Sequence, residues 1–202
     1  MTILRNPDSR QNNGVTLPHA EVVSLLPRLS DGEVLDLGCG TGRHALYLNR
    51  QGIPITGWDN DPEALHALQS VIDNKSLNGL TLEQRDLNQT RFNGQFQAIL
   101  AIDTLMYLAP YTISQLIADM QAATSKHGYN LIVCAMSTDD MPSPLDFPFT
   151  FASGELSHYY RRWHIVHYNE HIRPWSAPNS CAEPVMLRFA TLLAQKASVK
   201  SL

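Results

Sequence analysis

The chain has 202 residues and a net charge of -4, enough for one domain with a full core and room for a lobe or lid. The acidic balance excludes a broad basic field that grips nucleic acid by its phosphates. The three cysteines, Cys39, Cys134 and Cys181, are odd in number, far apart and without a CxxC pair, which excludes a disulfide framework and a cysteine-based zinc site and points to a reducing compartment.

Residues 1–17 are polar and expected to be flexible, and residues 18–202 to form a single domain. "MTILRNPDSRQNNGVTLPHAEV" has no apolar run of the secretion type and no later stretch approaches a bilayer span, so a soluble, cytoplasmic protein is expected. "PHAEVVSLLPRL" reads as a short amphipathic helix ending before Gly32, "EVLDLG" as a first strand, and "RHALYLNRQG" as a helix closed by Gly52. "PITGWD" is the second strand. Asp61 caps the next helix, with Pro62 in its first turn and Ala64, Leu65, Leu68, Val71 and Ile72 on one apolar stripe. "LTLEQRD" is a third strand and "FQAILAID" a fourth; the capping box Thr112 to Gln115 then predicts a helix carrying Ile113, Leu116, Ile117 and Met120. "GYNLIVCAM" is a fifth strand. This alternation predicts a parallel sheet with helices on both faces.

After that the rhythm breaks. "STDDMPSPLDFPFTFASGEL" reads as an extended loop with a helical turn around "SGELSHYY". "WHIVHYNEH" and "VMLRFATLLAQ" read as two strands joined by an irregular "IRPWSAPNSCAEP". With no helix between them they should be antiparallel neighbours at one edge of the sheet.

In such sheets ligands bind beyond the carboxyl ends of the strands where the winding reverses, so the loop after the first strand carries the chemistry. A nicotinamide loop reads G-x-G-x-x-G. Here the glycines are Gly38, Gly40 and Gly42, the third one position early, and Asp36 beside them would oppose a pyrophosphate. A nucleoside bearing ammonium and sulfonium groups suits Asp36 better. Asp59, twenty-one residues after Gly38 at the end of "GWD", is spaced to grip both ribose hydroxyls. Asp86 in "QRDLN" is placed to accept from an adenine amino group, with Leu87 against the ring.

Taken together, the chain resembles the class I S-adenosylmethionine-dependent methyltransferases and, among them, the tellurite-resistance (TehB-type) family. The likeness runs from about Pro18 to Lys196 and is carried by "LDLGCGTGR", "GWD", "DLN", "LMYL", "GYNLIV", "FPFTF", "YNE" and "LRFATLLA". It implies an α/β Rossmann-like fold with a mostly parallel seven-stranded sheet and an antiparallel final strand. It further implies S-adenosyl-L-methionine as cofactor, S-adenosyl-L-homocysteine as product, and methyl transfer to a small soft acceptor such as a tellurite- or selenite-type oxyanion. By the same resemblance Asp36, Gly38, Gly40, Gly42, Asp59, Asp86 and Leu87 match the cofactor site. Ala101 and Ile102 match backbone contacts to the methionine portion, Arg43 a partner for its carboxylate, and His19 a histidine near the cofactor.

The last loop departs from the family pattern. Where relatives carry a histidine and then an arginine, this chain has Ser176 and Pro184, and it offers His171, Arg173 and Trp175 instead. His171 and Arg173 are therefore the expected acceptor-orienting, catalytic residues. His158, His164, His167 and His171 resemble a metal cluster, but in a strand His164 and His167 would point to opposite faces, so no metal is expected. Met106 and Tyr107 are acceptor-pocket candidates, Phe147, Phe149 and Phe151 loop anchors, and Arg188, Asp139 and Asp140 surface groups. Expected partners are a small-molecule acceptor, with neither nucleic acid nor membrane. Two other readings stay open: a cofactor-binding protein without transfer activity, and a nicotinamide oxidoreductase.

Overall fold

The computed structural model describes residues 11–12, 15–30, 32–176 and 183–197. Cys181, most of the loop before the last strand and the first ten residues lie outside them. A two-stranded ladder, β1 (Gln11–Asn12) with β2 (Val15–Thr16), lies in the stretch expected to be flexible. The main sheet contains β3 (Val34–Leu37), β4 (Ile55–Asp59), β5 (Leu80–Gln84), β6 (Phe96–Ile102), β7 (Thr124–Ala135), β8 (His164–Trp175) and β9 (Val185–Gln195). Among the described residues five α-helices accompany it: α1 (Ala20–Leu25), α2 (Arg43–Arg50), α3 (Pro62–Lys75), α4 (Pro110–Ala123) and α5 (Glu155–Tyr159).

The strand order is β5-β4-β3-β6-β7-β9-β8. Neighbours from β5 to β7 are parallel, and β9 is antiparallel to both β7 and β8. The chain winds outward from β3 to β5, then returns to the other side of β3 and winds the opposite way. Right-handed crossovers in opposite directions put α2 and α3 on one face and α4 on the other. That is why β3 is buried along its whole length and β6 almost so, and why both read as unbroken apolar runs. The reversal falls between β3 and β6, the crevice to which the glycine loop opens.

Local signals explain most element boundaries. The Asp61 side chain accepts the backbone N–H groups of Glu63 and Ala64, with Pro62 opening α3 as expected. The expected capping box does not form. Pro110, whose φ is already helical, starts α4 earlier, and the Thr112 hydroxyl donates to the Ala109 carbonyl while Gln115 pairs with Asp119. β7 begins at Thr124 instead of Gly128.

Two differences bear on the site. β8 continues to Trp175, so Arg173 belongs, like His171, to a strand and not to the irregular loop. The ladder with β9 closes as far as Trp175 opposite Val185, and Pro174 is accommodated because β8 is an edge strand. An irregularity between Ile165 and His167 sets His164 opposite Gln195 and His167 opposite Leu193, so the two histidines share a face. The alternate-face expectation assumed a regular strand. Among the described residues no group of three metal-binding side chains occurs, and no helix is long and apolar enough to cross a membrane.

Candidate functional site

Beyond the carboxyl ends of β3, β4, β5 and β6 lies a cavity of about 290 Å³. Gly38, Gly40, Asp59, Asp86, Leu87 and Tyr107 of the expected residues line it, together with Asp103 and Thr104, whereas Met106 is buried and does not. A second depression of about 260 Å³ lies among Arg28, Gly32, Glu33, Gln97 and Lys126 at the amino ends of the strands, away from the switch point. The glycine loop lines the first of the two.

That loop is built by hydrogen bonds to the neighbouring strand. The N–H groups of Gly38 and Cys39 donate to the Trp58 carbonyl at 2.7 and 3.1 Å, and the Gly40 N–H donates to Asp59 Oδ2 at 2.7 Å. Asp59 Oδ1 accepts the Asp61 N–H at 2.9 Å, so one carboxylate ties the glycine loop to the start of α3. Thr104 completes the frame from β6, its hydroxyl donating to the Leu37 carbonyl at 2.8 Å.

Asp36, in the middle of β3, is buried behind the loop, and its Oδ2 has no hydrogen-bond partner. Burial first, and the Asp59 charge second, push its carboxyl up to about 7. Burial and the same two carboxylates also push the Cys39 thiol up, which keeps it an inert packing group. Asp86 is differently placed: it accepts the Asn88 N–H at 2.9 Å and the Gln89 amide at 2.8 Å. The Asn88 backbone bond is the main cause holding its carboxyl below the usual range. Arg85, which also lines the cavity, is matched by Glu83 at 2.5 Å and lies 4.8 Å from the Trp58 ring.

Other expected residues stand further off. Gly42 is buried and opens α2. Arg43 Nε donates to the Leu17 carbonyl at 2.5 Å, tying the segment before α1 to the loop. Ala101 and Ile102 are buried strand residues, and the Ile102 carbonyl accepts from Thr104. His19 is buried and caps α1 by accepting the Glu21 N–H. None of these lines the cavity. Phe147, Phe149 and Phe151 do anchor their loop: Phe149 and Phe151 meet edge to face, and Phe151 bridges to Met136. Asp140, expected to be solvated only, makes a bidentate pair with Arg188 at 2.8 and 2.9 Å.

The two expected acceptor-side residues lie two apart on β8, which places them on one face of that strand. His171 Nδ1 lies 2.9 Å from Asn169 Oδ1. Arg173 reaches the cavity through Asp103, whose carboxylate accepts its Nη2 at 2.9 and 3.1 Å. Asp103 had no assigned role in the sequence reading. Its signal was an acid at the end of an apolar strand, the same signal that singled out Asp59, but no spacing rule attaches to it.

The family described as "Tellurite resistance protein TehB" matches residues 6–193. The "Probable S-adenosyl-L-methionine-dependent methyltransferase TehB" of Haemophilus influenzae (strain 10810) is 37% identical over 90% of this chain and 63% of its own length. A protein of Eikenella corrodens named "Hemagglutinin 1" is 35% identical over 92% of this chain and 62% of its own. The crystal structure of TehB from Haemophilus influenzae superposes with a TM-score of 0.83 at 36% identity, covering 88% of this chain and 62% of that one. The chain thus spans less than two thirds of the length of these relatives.

Proposed function

Because the chain belongs to the TehB family, we propose that it is an S-adenosylmethionine-dependent methyltransferase acting on a small soft nucleophile. The observation that carries the reading is Asp36 Oδ2, a buried carboxylate oxygen with no partner, behind a glycine-lined cavity. An ammonium or sulfonium group nearby would satisfy it, and a diphosphate would not. The donor set fits in two further ways. A Cβ on Gly40 would meet nothing within 4 Å, so the loop leaves room for close approach of a ligand. Asp59 and Asp86 also stand at successive strand ends, as ribose and adenine recognition would need.

When bound, the cofactor supplies a methyl group on a sulfonium, already activated as a leaving group. The chain's own task is then orientation. Asp59 and the Gly38–Gly40 backbone hold the nucleoside, Leu87 packs against its ring, and Asp36 balances its positive charge. Ala101, Ile102, Gly42 and Arg43 support the loop from behind. Alignment of the acceptor supplies much of the rate, and no protein nucleophile is required. Arg173 and His171 are the proposed acceptor-side pair, Arg173 acting through Asp103.

Calorimetry with S-adenosylhomocysteine tests the reading. The ligand should bind, and Asp59→Ala should weaken it by roughly 1.5 to 3 kcal/mol through lost charge-assisted hydrogen bonds and a loosened Gly40. Unchanged affinity in a folded variant removes Asp59 from the site, and tighter binding of NAD than of S-adenosylhomocysteine replaces the methyltransferase with the oxidoreductase. Asp86 has its own test. Its carboxylate already holds the Asn88 turn, so Asp86→Ala should lower affinity for S-adenosylhomocysteine more than for the inosine analogue, which lacks the amino donor. Equal losses for both ligands mean that the residue acts only by shaping the turn.

A further inference from the structure

The cavity has a side that the cofactor reading leaves unexplained. Asp103 directly follows β6 at the switch point, and its backbone is left-handed at φ 54°, a conformation aspartate and asparagine tolerate better than most residues. Its carboxylate lines the cavity and accepts twice from Arg173, a residue seventy positions later on the edge strand β8. That side chain is only 14% exposed, and its guanidinium lies 3.7 Å over the Phe189 ring. It is fixed by the strand, the ring and the carboxylate together, and its charge is matched locally. Arg85, which lines the cavity, is matched by Glu83.

Next to Asp103 stands an aromatic wall. Tyr107 lines the cavity and is 48% exposed. Phe147 packs edge-on to it at 5.7 Å and to Trp175 at 5.5 Å, so the exposed ring is braced from behind. Burial, and then the Asp103 charge, push the Tyr107 hydroxyl up to about 12, which keeps it a neutral donor. A flat ring can stack on Tyr107 while a hydrogen on its edge reaches Asp103. An oxyanion in the same place would meet a carboxylate.

Resting on the methyl-transfer part of the reading above and not on its soft acceptor, we propose that Asp103, aimed by Arg173, receives the proton of the methyl acceptor, and that the acceptor is an uncharged aromatic molecule with a hydroxyl or thiol on its ring. In the reaction Asp103 takes the proton from oxygen or sulfur as that atom's electron pair forms the bond to the methyl carbon. The pair of the breaking carbon–sulfonium bond stays on the cofactor's sulfur as a neutral thioether, and Asp103 then passes the proton to solvent. A carboxylate oxygen has lone pairs to accept from both an arginine and a substrate. Asp103 is the catalytic residue in this scheme and Arg173 a positioning residue.

The two acceptor types separate a base from a merely structural group. A hydroxyl needs proton removal far more than a thiol, which is partly ionised near neutral pH. The probes are 2-naphthol, 2-naphthalenethiol and sodium tellurite, each with S-adenosylmethionine, and 2-naphthol binding is also titrated in the presence of S-adenosylhomocysteine. The wild-type protein should bind 2-naphthol and methylate both naphthalenes faster than tellurite. Asp103→Asn should lower naphthol turnover by about a hundredfold and thiol turnover by less than about tenfold. Arg173→Ala should lower kcat for naphthol by about tenfold with KM little changed, and Arg173→Lys should restore most of it.

Equal losses for naphthol and thiol in Asp103→Asn, no rescue by Arg173→Lys, or faster wild-type turnover of tellurite than of either naphthalene would each overturn the proposal. So would wild-type protein that binds S-adenosylhomocysteine but neither binds nor methylates the naphthalenes. Failure to bind S-adenosylhomocysteine at all would instead overturn the methyltransferase reading, and this one with it.

Discussion

Between about pH 4 and pH 7 the ligand-free protein is expected to lose roughly 3 kcal/mol of stability because of Asp36 alone. The native carboxyl keeps its proton up to about 7, against an ordinary value of 3.8. Over that window the unfolded chain holds fewer protons than the native state, so stability falls as pH rises. Asp36→Asn should remove the slope. The amide brings its own desolvation penalty, so the net gain at about pH 8 should be roughly 1 to 3 kcal/mol, with none at about pH 4. Urea unfolding at both values measures it, and a variant equally shifted at both would show that ionisation is not the cause. The same variant should bind S-adenosylmethionine more weakly, and lose less affinity for S-adenosylhomocysteine, which lacks the sulfonium charge. Stability and binding then move in opposite directions from one substitution, as expected of a buried charge kept for a cationic ligand.

Replacing Gly42 by alanine is expected to destabilise the fold by roughly 2 to 5 kcal/mol. Its φ is 85°, and a Cβ there would stand 2.4 Å from Cδ1 and 2.8 Å from Cδ2 of Leu68. Leu68 is fully buried on α3 and has no room to yield. Left-handed strain and overpacking therefore add at one atom. Gly40→Ala is the companion measurement. At φ 52° with nothing within 4 Å, it should cost only about 1 kcal/mol of stability. Its methyl would enter the ligand space, so S-adenosylhomocysteine affinity should fall by about tenfold or more. Unfolding midpoints and calorimetry on the two proteins separate packing from recognition. Similar stability losses in both would refute the assignment of Gly42 to helix packing and Gly40 to the ligand.

Most of the architecture was legible in the chain because burial on two faces leaves an unbroken apolar run, as in β3 and β6, while a helix half in water leaves a stripe, as in α3. The places of Asp36, Asp59 and Asp86 in the fold were legible for a related reason. Each lies on or just past a strand that the pattern locates, and the topology of such sheets sends the carboxyl ends of the strands to one crevice. Boundaries set by backbone geometry were less accessible: Pro110 started α4 ahead of a plausible capping box, and β8 ran through Pro174 because an edge strand tolerates a missing donor. Local pattern carries no information on such competition.

The surroundings of Arg173 were decided by tertiary structure alone. In sequence, Arg173 stood in an irregular loop, Asp103 closed a strand, and seventy residues separated them. Only the order of the sheet, with β8 at the far edge and β9 folded back between β7 and β8, sets Arg173 over Phe189 and against Asp103. That contact turns an expected anion-binding arginine into half of a matched pair, because the charge a group offers to a ligand depends on what stands within a few ångströms of it, and distance in space is not written in the spacing of residues along the chain.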